Sequence, residues 1–218
     1  MGNFTLSAAE VRVLGCLLEK QRTTPDAYPL SLNALRLACN QSTNRDPVLD
    51  FDEATIRDAL HRLERRGMTR LASGAGSRAA KYRHLLDEAL PMSAAERSLM
   101  CVLMLRGPQT PGELKQRAER MQPFAGLAEV HETLQRLIDR ELVLRLERRP
   151  GQKEERYLQL LQDAEQDEQP SPALAAAAGP APSPPGEVEP LRERVARLER
   201  EMGELRAAMR HPCTEQDL

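Results

Sequence analysis

The sequence predicts an α+β fold, mainly α with small β-hairpins: two tandem winged-helix (helix-turn-helix) domains, a flexible linker and a C-terminal amphipathic, coiled-coil helix. Three observations predict it. Ser7-Ala8-Ala9-Glu10 recurs as Ser93-Ala94-Ala95-Glu96, 86 positions further on. At the same offset Leu17 falls on Leu103, Leu18 on Met104 and Thr24-Pro25 on Thr110-Pro111, so the match runs through a helix and its following turn and reads as a duplication. Each copy then shows apolar residues at helical spacing followed by a short stretch that doubles back around a Gly-bearing bend. The expected boundaries are 1–90 and 91–162 for the domains, 163–190 for the linker and 191–210 for the last helix.

In the first copy Ser7 and Glu10 form a capping box, each side chain satisfying a free backbone N–H at a helix start. That helix buries Val11, Leu14, Leu17 and Leu18, and Thr24-Pro25 stops it. Ser31 is placed to cap a second helix with Leu32, Leu35 and Ala38 inward, ending near Cys39-Asn40. A polar loop, Gln41 to Pro47, leads to a third helix that Asp50 and Glu53 are expected to cap. It carries Ile56, Ala59, Leu60 and Leu63 inward and stops at Gly67, a C-terminal cap residue. A strand near Thr69–Leu71, a bend at Gly74-Ala75-Gly76 and a return through Lys81-Tyr82-Arg83 complete a winged helix.

The second copy repeats the order. Ser93 and Glu96 cap a first helix that is apolar almost all round from Leu99 to Leu105, which implies deep burial. Thr110-Pro111-Gly112-Glu113 opens the second helix. Val130, Leu134 and Leu137 match Ile56, Leu60 and Leu63 at an offset of 74. The first copy thus carries 12 extra residues, which this alignment places between Pro25 and Ile56. The hairpin recurs as Leu142–Leu146, a turn at Arg149–Gln152, and Arg156–Leu158, with Tyr157 matching Tyr82 as a packing residue.

From Asp163 to Pro190 the chain is acidic and then Ala-, Pro- and Ser-rich, a composition expected to stay unfolded as a tether. Leu191, Val195, Leu198, Met202, Leu205 and Met209 follow at heptad spacing, the seam of a parallel homodimer in which Arg194 faces Glu199 and Glu201 faces Arg206. A lone amphipathic helix folding back on the chain is the competing reading.

Composition bounds the function. Aromatic residues make up 3% of the chain and Trp is absent, so aliphatic residues must build the cores. Residues 1–90 carry 13 Lys/Arg against 11 Asp/Glu, 91–162 carry 12 against 10, and 163–218 carry 6 against 12. Neither repeat is strongly basic, which limits non-specific affinity for nucleic acid. Cys16, Cys39, Cys101 and Cys213 lack metal-ligand or redox-motif spacing and are expected as reduced thiols in a cytoplasmic protein. Leu99–Leu105 is too short to span a membrane. No catalytic motif, metal site or cofactor site is expected: Gly74 and Gly76 lack the rest of a dinucleotide loop, and His61, His84, His131 and His211 have no metal-binding context.

Two surfaces are candidates. The third helix of the first repeat presents Arg57, His61, Arg62 and Arg65, with Arg78 and Lys81 in the wing, a pattern suited to double-stranded DNA. A solvated helix face damped by Asp58 and Glu64 is the alternative. The second repeat reads His131, Gln135, Arg136 and Asp139 at the same places and is less suited. The polar loop gathers Asn40, Gln41, Asn44 and Arg45 with no evident role beyond fixing turns.

The stretches Glu10–Lys20, Thr24-Pro25 with Tyr28–Ser31, Ala38–Gln41, Thr43–Arg45 with Pro47-Val48, and Leu105-Arg106-Gly107 with Gln109–Leu114 resemble the YceH-like family of bacterial proteins. The resemblance covers about residues 4–160 and the acidic tail with its terminal helix. It implies a tandem winged-helix fold and a cytoplasmic location, and it carries over no site residue, because that family is functionally uncharacterised. The expected function is a DNA-binding regulator dimerised through its last helix. The alternative is a protein-interaction scaffold resembling the winged-helix accessory subunits of condensin complexes.

Overall fold

The structure is a computed structural model that describes residues 5–72, 79–148 and 154–162. Those residues hold seven α-helices and two small antiparallel sheets, an α+β arrangement in one compact unit. The tether, the heptad seam from Leu191 to Met209, and Arg78 lie outside the described residues.

The chain runs α1 (Ala8–Thr23), a 3-10 turn (Pro25–Ala27), β1 (Leu30–Ser31), α2 (Leu32–Cys39), α3 (Glu53–Arg65), β2 (Thr69–Leu71) and β3 (Lys81–His84). A short α4 (Leu86–Ala89) leads to α5 (Ala94–Arg106), α6 (Pro111–Ala118), α7 (Leu127–Asp139), β4 (Val143–Leu146) and β5 (Arg156–Gln159). In the first sheet β3 lies between β1 and β2, with Leu30 opposite Tyr82 and Thr69 opposite His84. In the second, β4 pairs with β5 and a single bridge from Gln109 to Tyr157 stands where β1 stood. The two copies therefore share helix order and strand order.

Their helices form where the local chemistry dictates. Ser7/Glu10, Ser93/Glu96 and Thr110/Glu113 are complete capping boxes, each satisfying N–H groups that a helix start leaves open. Ser31 accepts from the Ala34 amide and caps α2. Two sequence expectations are corrected. Asp52, not Asp50, caps α3 by accepting from the Thr55 amide at 2.7 Å, and Asp50 instead accepts from the Asn40 side chain. Thr24-Pro25 is not the counterpart of Thr110-Pro111: it enters a 3-10 turn, whereas Thr110 caps α6 as Ser31 caps α2. The offset between copies falls from 86 at α1/α5 to 79 at α2/α6 and 74 at α3/α7. The extra residues thus divide into a seven-residue piece before α2 and a five-residue piece before α3, the second of which enlarges the polar loop.

One core runs through both copies. Burial from Glu10 to Leu18 covers every side of α1, because α2 and α3 pack on part of it and α5 packs on the rest. On α5, burial runs unbroken from Ser98 to Leu105. The helices approach at Gly15, where a Cβ would stand 2.9 Å from Leu105 Cδ2 and 3.3 Å from Met104 Cβ. Cys101 Sγ donates to the Gly15 carbonyl at 3.3 Å. No described helix is long and apolar enough to cross a membrane.

Candidate nucleic-acid interface

Packing α1 against α5 leaves the outer faces of α3 and α7 uncovered. On α3, Ile56, Ala59, Leu60 and Leu63 point into the core. The spacing that buries them turns Arg57, Asp58, His61, Glu64 and Arg65 to solvent. A shallow depression on this face is lined by Asp58, His61, Arg62, Glu64 and Arg65. The basic set is not uniform. Arg57 Nη2 donates to Glu53 Oε1 at 2.5 Å, one turn earlier on the same helix. Arg62 turns back, its Nε 3.9 Å from Glu10 Oε1. His61 and Arg65 remain exposed. In the sheet, Lys81 is exposed at the start of β3, and Arg70 of β2 stands directly opposite Arg83 of β3. Neighbouring like charges on facing strands repel; among the described residues, Arg83 of this pair has a carboxylate nearby, Glu88 at 3.7 Å, and Arg70 has no ion pair.

Glu10 has a second task that sequence reasoning did not find. Its Oε2 accepts from the Ser7 amide in the capping box, while Oε1 faces Arg62 Nε and, at 3.7 Å, Arg66 Nε. Arg66 also donates to the Thr5 carbonyl at 2.5 Å. The second copy repeats every part. Glu96 Oε2 accepts from the Ser93 amide, and its Oε1 lies 3.9 Å from Arg136 Nε and 3.6 Å from Arg140 Nη1. Arg140 donates to the Pro91 carbonyl at 2.8 Å. A buried carboxylate thus ties the start of each first helix to the end of each third helix. Arg62 is therefore partly engaged within the fold, which reduces what α3 offers to DNA.

The polar loop is held by partly buried contacts centred on Arg45. Asn40 clasps Phe51, accepting its N–H at 2.9 Å and donating to its carbonyl at 2.8 Å. Arg45 is buried; it grips Glu19 through Nη1 at 3.2 Å and Nη2 at 2.6 Å, and donates to the carbonyls of Ala38 and Asn44 and to Gln41 Oε1. Burial alone would lower the pKa of Arg45, but the hydrogen bond to Glu19 and the surrounding charges together outweigh it and the net shift is upward. Asn44 has φ +60°, in the left-handed region, and its Oδ1 accepts from Arg106 at 2.6 Å. The Asp46 amide donates to the Leu105 carbonyl. The inserted loop is therefore a strut between the first copy and the end of α5.

Beneath it lies Arg12, buried and donating to the carbonyls of Cys39 and Pro47 at 3.1 and 2.7 Å. Burial pulls its pKa down. Cys16, Cys39 and Cys101 are buried free thiols. Burial raises the Cys101 thiol well above its ordinary value. Among the described residues no group of three or more His, Cys, Asp or Glu is placed to hold a metal.

On the second copy, a cavity of about 280 Å³ opens between the starts of α6 and α7 and the β4–β5 hairpin, with Leu127, His131 and Tyr157 in its wall. Leu127 is 49% exposed and Leu144 46%.

Sequence comparison places residues 6–152 in a match to the family described as a protein of unknown function, DUF480. The chain is 48% identical over 202 residues to a UPF0502 protein of Koribacter versatilis (strain Ellin345), spanning 92% of this chain and 90% of the relative. It is 46% identical over 207 residues to a UPF0502 protein of Solibacter usitatus (strain Ellin6076), spanning 94% and 95%. The UPF0502 protein YceH of Salmonella schwarzengrund (strain CVM19633) is 49% identical over 164 residues, 72% of this chain and 76% of that protein. The resemblance carried by the first-helix, loop and second-copy motifs holds.

Proposed function

Because the chain belongs to the DUF480 family of proteins of unknown function, membership assigns no activity and the surfaces must carry the reading: we propose that it is a DNA-associated regulator made of two winged-helix repeats. The first repeat contacts the duplex through α3 and its hairpin. The observation that carries this reading is the uncovered outer face of α3, left open by the α1–α5 packing, with His61 and Arg65 exposed on it. The paired Arg70 and Arg83 add charge in the strands. Arg57 is available at the cost of an exposed i,i+4 ion pair, which is worth only about 0.3–0.5 kcal/mol. The reading assigns no catalysis, and it places the protein in the cytoplasm as a homodimer joined by the 191–210 helix.

The test is binding of the full chain to pooled genomic duplex DNA across a salt series, beside an Arg57→Ala/His61→Ala/Arg65→Ala variant. Salt-sensitive binding is expected, with the log–log slope reduced by about 2 in the variant. Absence of binding at low salt sinks the reading. Deleting residues 187–218 is expected to convert a dimer to a monomer in sedimentation, and a truncated chain that still sediments as a dimer refutes dimerisation by the tail.

A second reading rests on the other repeat. Leu127 is exposed in the wall of the cavity of about 280 Å³, where Glu154 and Glu155 disfavour phosphate, and Leu144 is exposed on β4; exposed apolar side chains of this kind suit a protein partner. On this reading the chain is a scaffold. Capture of a partner that Leu127→Asp/Leu144→Asp abolishes, without DNA binding by the wild type, would favour it.

A further inference from the structure

A second cavity, of about 220 Å³, lies where the polar loop meets the second copy. The end of α1, the loop itself, the end of α5 and the end of α6 all contribute to its wall. Its chemistry is cationic: Lys20, Arg106, Arg117 and Arg120 line it, and Glu19 is the one acidic residue among the lining side chains. Glu19 is already matched by Arg45, with Lys20 3.6 Å away. Glu113 lies 3.4 Å from Arg117 outside the lining, and Asp46 is within electrostatic reach of Arg106. Arg120 is exposed and makes no ion pair among the described residues.

Arg106 is the most informative member. Its guanidinium bonds to an amide oxygen, Asn44 Oδ1, rather than to a carboxylate. Burial and the nearby Arg117 cation both disfavour its charged form. Like charges brought together beside a cavity are stabilised by an anion that enters it. Guanidinium forks match phosphate oxygens in geometry as well as charge. Neutral donors stand beside them, including Thr43 and the Gln41 amide, whose oxygen is engaged by Arg45.

We propose that this cavity is a binding site for a small phosphorylated ligand, held by Arg106, Arg117 and Arg120 with Lys20 at its edge. The enclosure by four segments and the volume favour a phosphate ester or pyrophosphate group over a duplex backbone, which needs an open track. The ligand would touch both copies at once and brace the strut between them. This inference is independent of DNA binding by α3, so the two can fail separately.

Calorimetric titration of the full chain with inorganic pyrophosphate tests it, with potassium chloride at matched ionic strength as the control. One site per chain is expected. Arg106→Gln and Arg120→Gln should each weaken binding about tenfold, the scale of one charge-assisted hydrogen bond. Arg120 is exposed and its loss leaves the fold intact, so that variant keeps the test valid if Arg106→Gln unfolds the loop. The Arg57→Ala/His61→Ala/Arg65→Ala variant should bind pyrophosphate as the wild type does. Heat no different from the chloride control, or binding that both glutamine variants retain, overturns the proposal. Displacement of pyrophosphate by stoichiometric duplex DNA also overturns it, by assigning these cations to a nucleic-acid backbone.

Discussion

His84 ends β3 inside the first sheet, where it is 3% exposed. Its Nε2 donates to Gln21 Oε1 at 2.8 Å and its Nδ1 accepts from the Leu86 amide at 3.3 Å, which fixes a neutral ring. Burial lowers its pKa from 6.5 to about 4, chiefly because the charged form is desolvated. The unfolded chain therefore binds the extra proton first. Stability from this group is full above about pH 6.5 and is lost as the pH falls toward the folded value. Between about pH 7 and about pH 5 the loss is on the order of 2 kcal/mol. Urea denaturation at the two pH values should show that much more acid sensitivity in the wild type than in His84→Gln; equal sensitivity refutes it. A second residue-scale prediction concerns the αL position after each third helix. Gly67 has φ +69° and its counterpart Glu141 has φ +57°. In both, the next amide closes the helix, Met68 to the Leu63 carbonyl and Leu142 to the Leu137 carbonyl. Glycine carries no Cβ penalty there. Gly67→Ala should destabilise by about 1 kcal/mol and Glu141→Gly should stabilise by up to about 1 kcal/mol in the same denaturation experiment.

At the scale of elements, the duplicated carboxylate clamp explains why the Ser-Ala-Ala-Glu repeat is so well kept between the copies. The cap was legible, because Ser and Glu three apart are a local signal. The link to Arg66 and Arg140 was not, since each joins chain segments that only the tertiary fold brings together. Nor did helical spacing show that Arg62, though its side chain is partly exposed, brings its Nε to within 3.9 Å of Glu10. The split of the inserted residues was hidden for a related reason: Thr24-Pro25 and Thr110-Pro111 look alike, and only the β1 pairing shows that Ser31 is the true partner of Thr110. The clamp makes a paired prediction. Glu10→Ala and Glu96→Ala each lose a cap, about 1 kcal/mol, and strip the counter-charge from two arginines, so a total of about 2–3 kcal/mol is expected. Glu96→Gln keeps the amide-accepting oxygen and should cost less. A double-mutant cycle of Glu96 with Arg140 should give a coupling of about 0.5–1 kcal/mol or more. Zero coupling would mean that the arginine is held by the Pro91 carbonyl alone.

At the scale of the whole described unit, the two copies are joined through α1 and α5 rather than by a bare linker. Three further contacts tie them: Leu6 donates to the Leu161 carbonyl at 2.7 Å, Asp46 to Leu105, and Arg106 to Asn44. Helix interiors that are buried on every side have no solvent-facing alternative if the copies separate. Parting them would expose Leu103, Met104, Leu105 and the far side of α1, and burial of one such large side chain is worth about 1.5–3 kcal/mol. The described unit should therefore unfold in one step, with calorimetric and van't Hoff enthalpies equal. Gly15 is the point to test. A valine there would drive its branches into Leu105 Cδ2 and Met104 Cβ, which sit at 2.9 and 3.3 Å from even a bare Cβ. Overpacking of this kind costs about 1–3 kcal/mol. Leu105→Ala made in the same chain should return part of that loss, because it empties the space that the valine needs, whereas Leu105→Ala alone should only destabilise. Two resolved transitions in the wild type, or strictly additive effects of Gly15→Val and Leu105→Ala, would show that the α1–α5 contact does not make the copies one cooperative body.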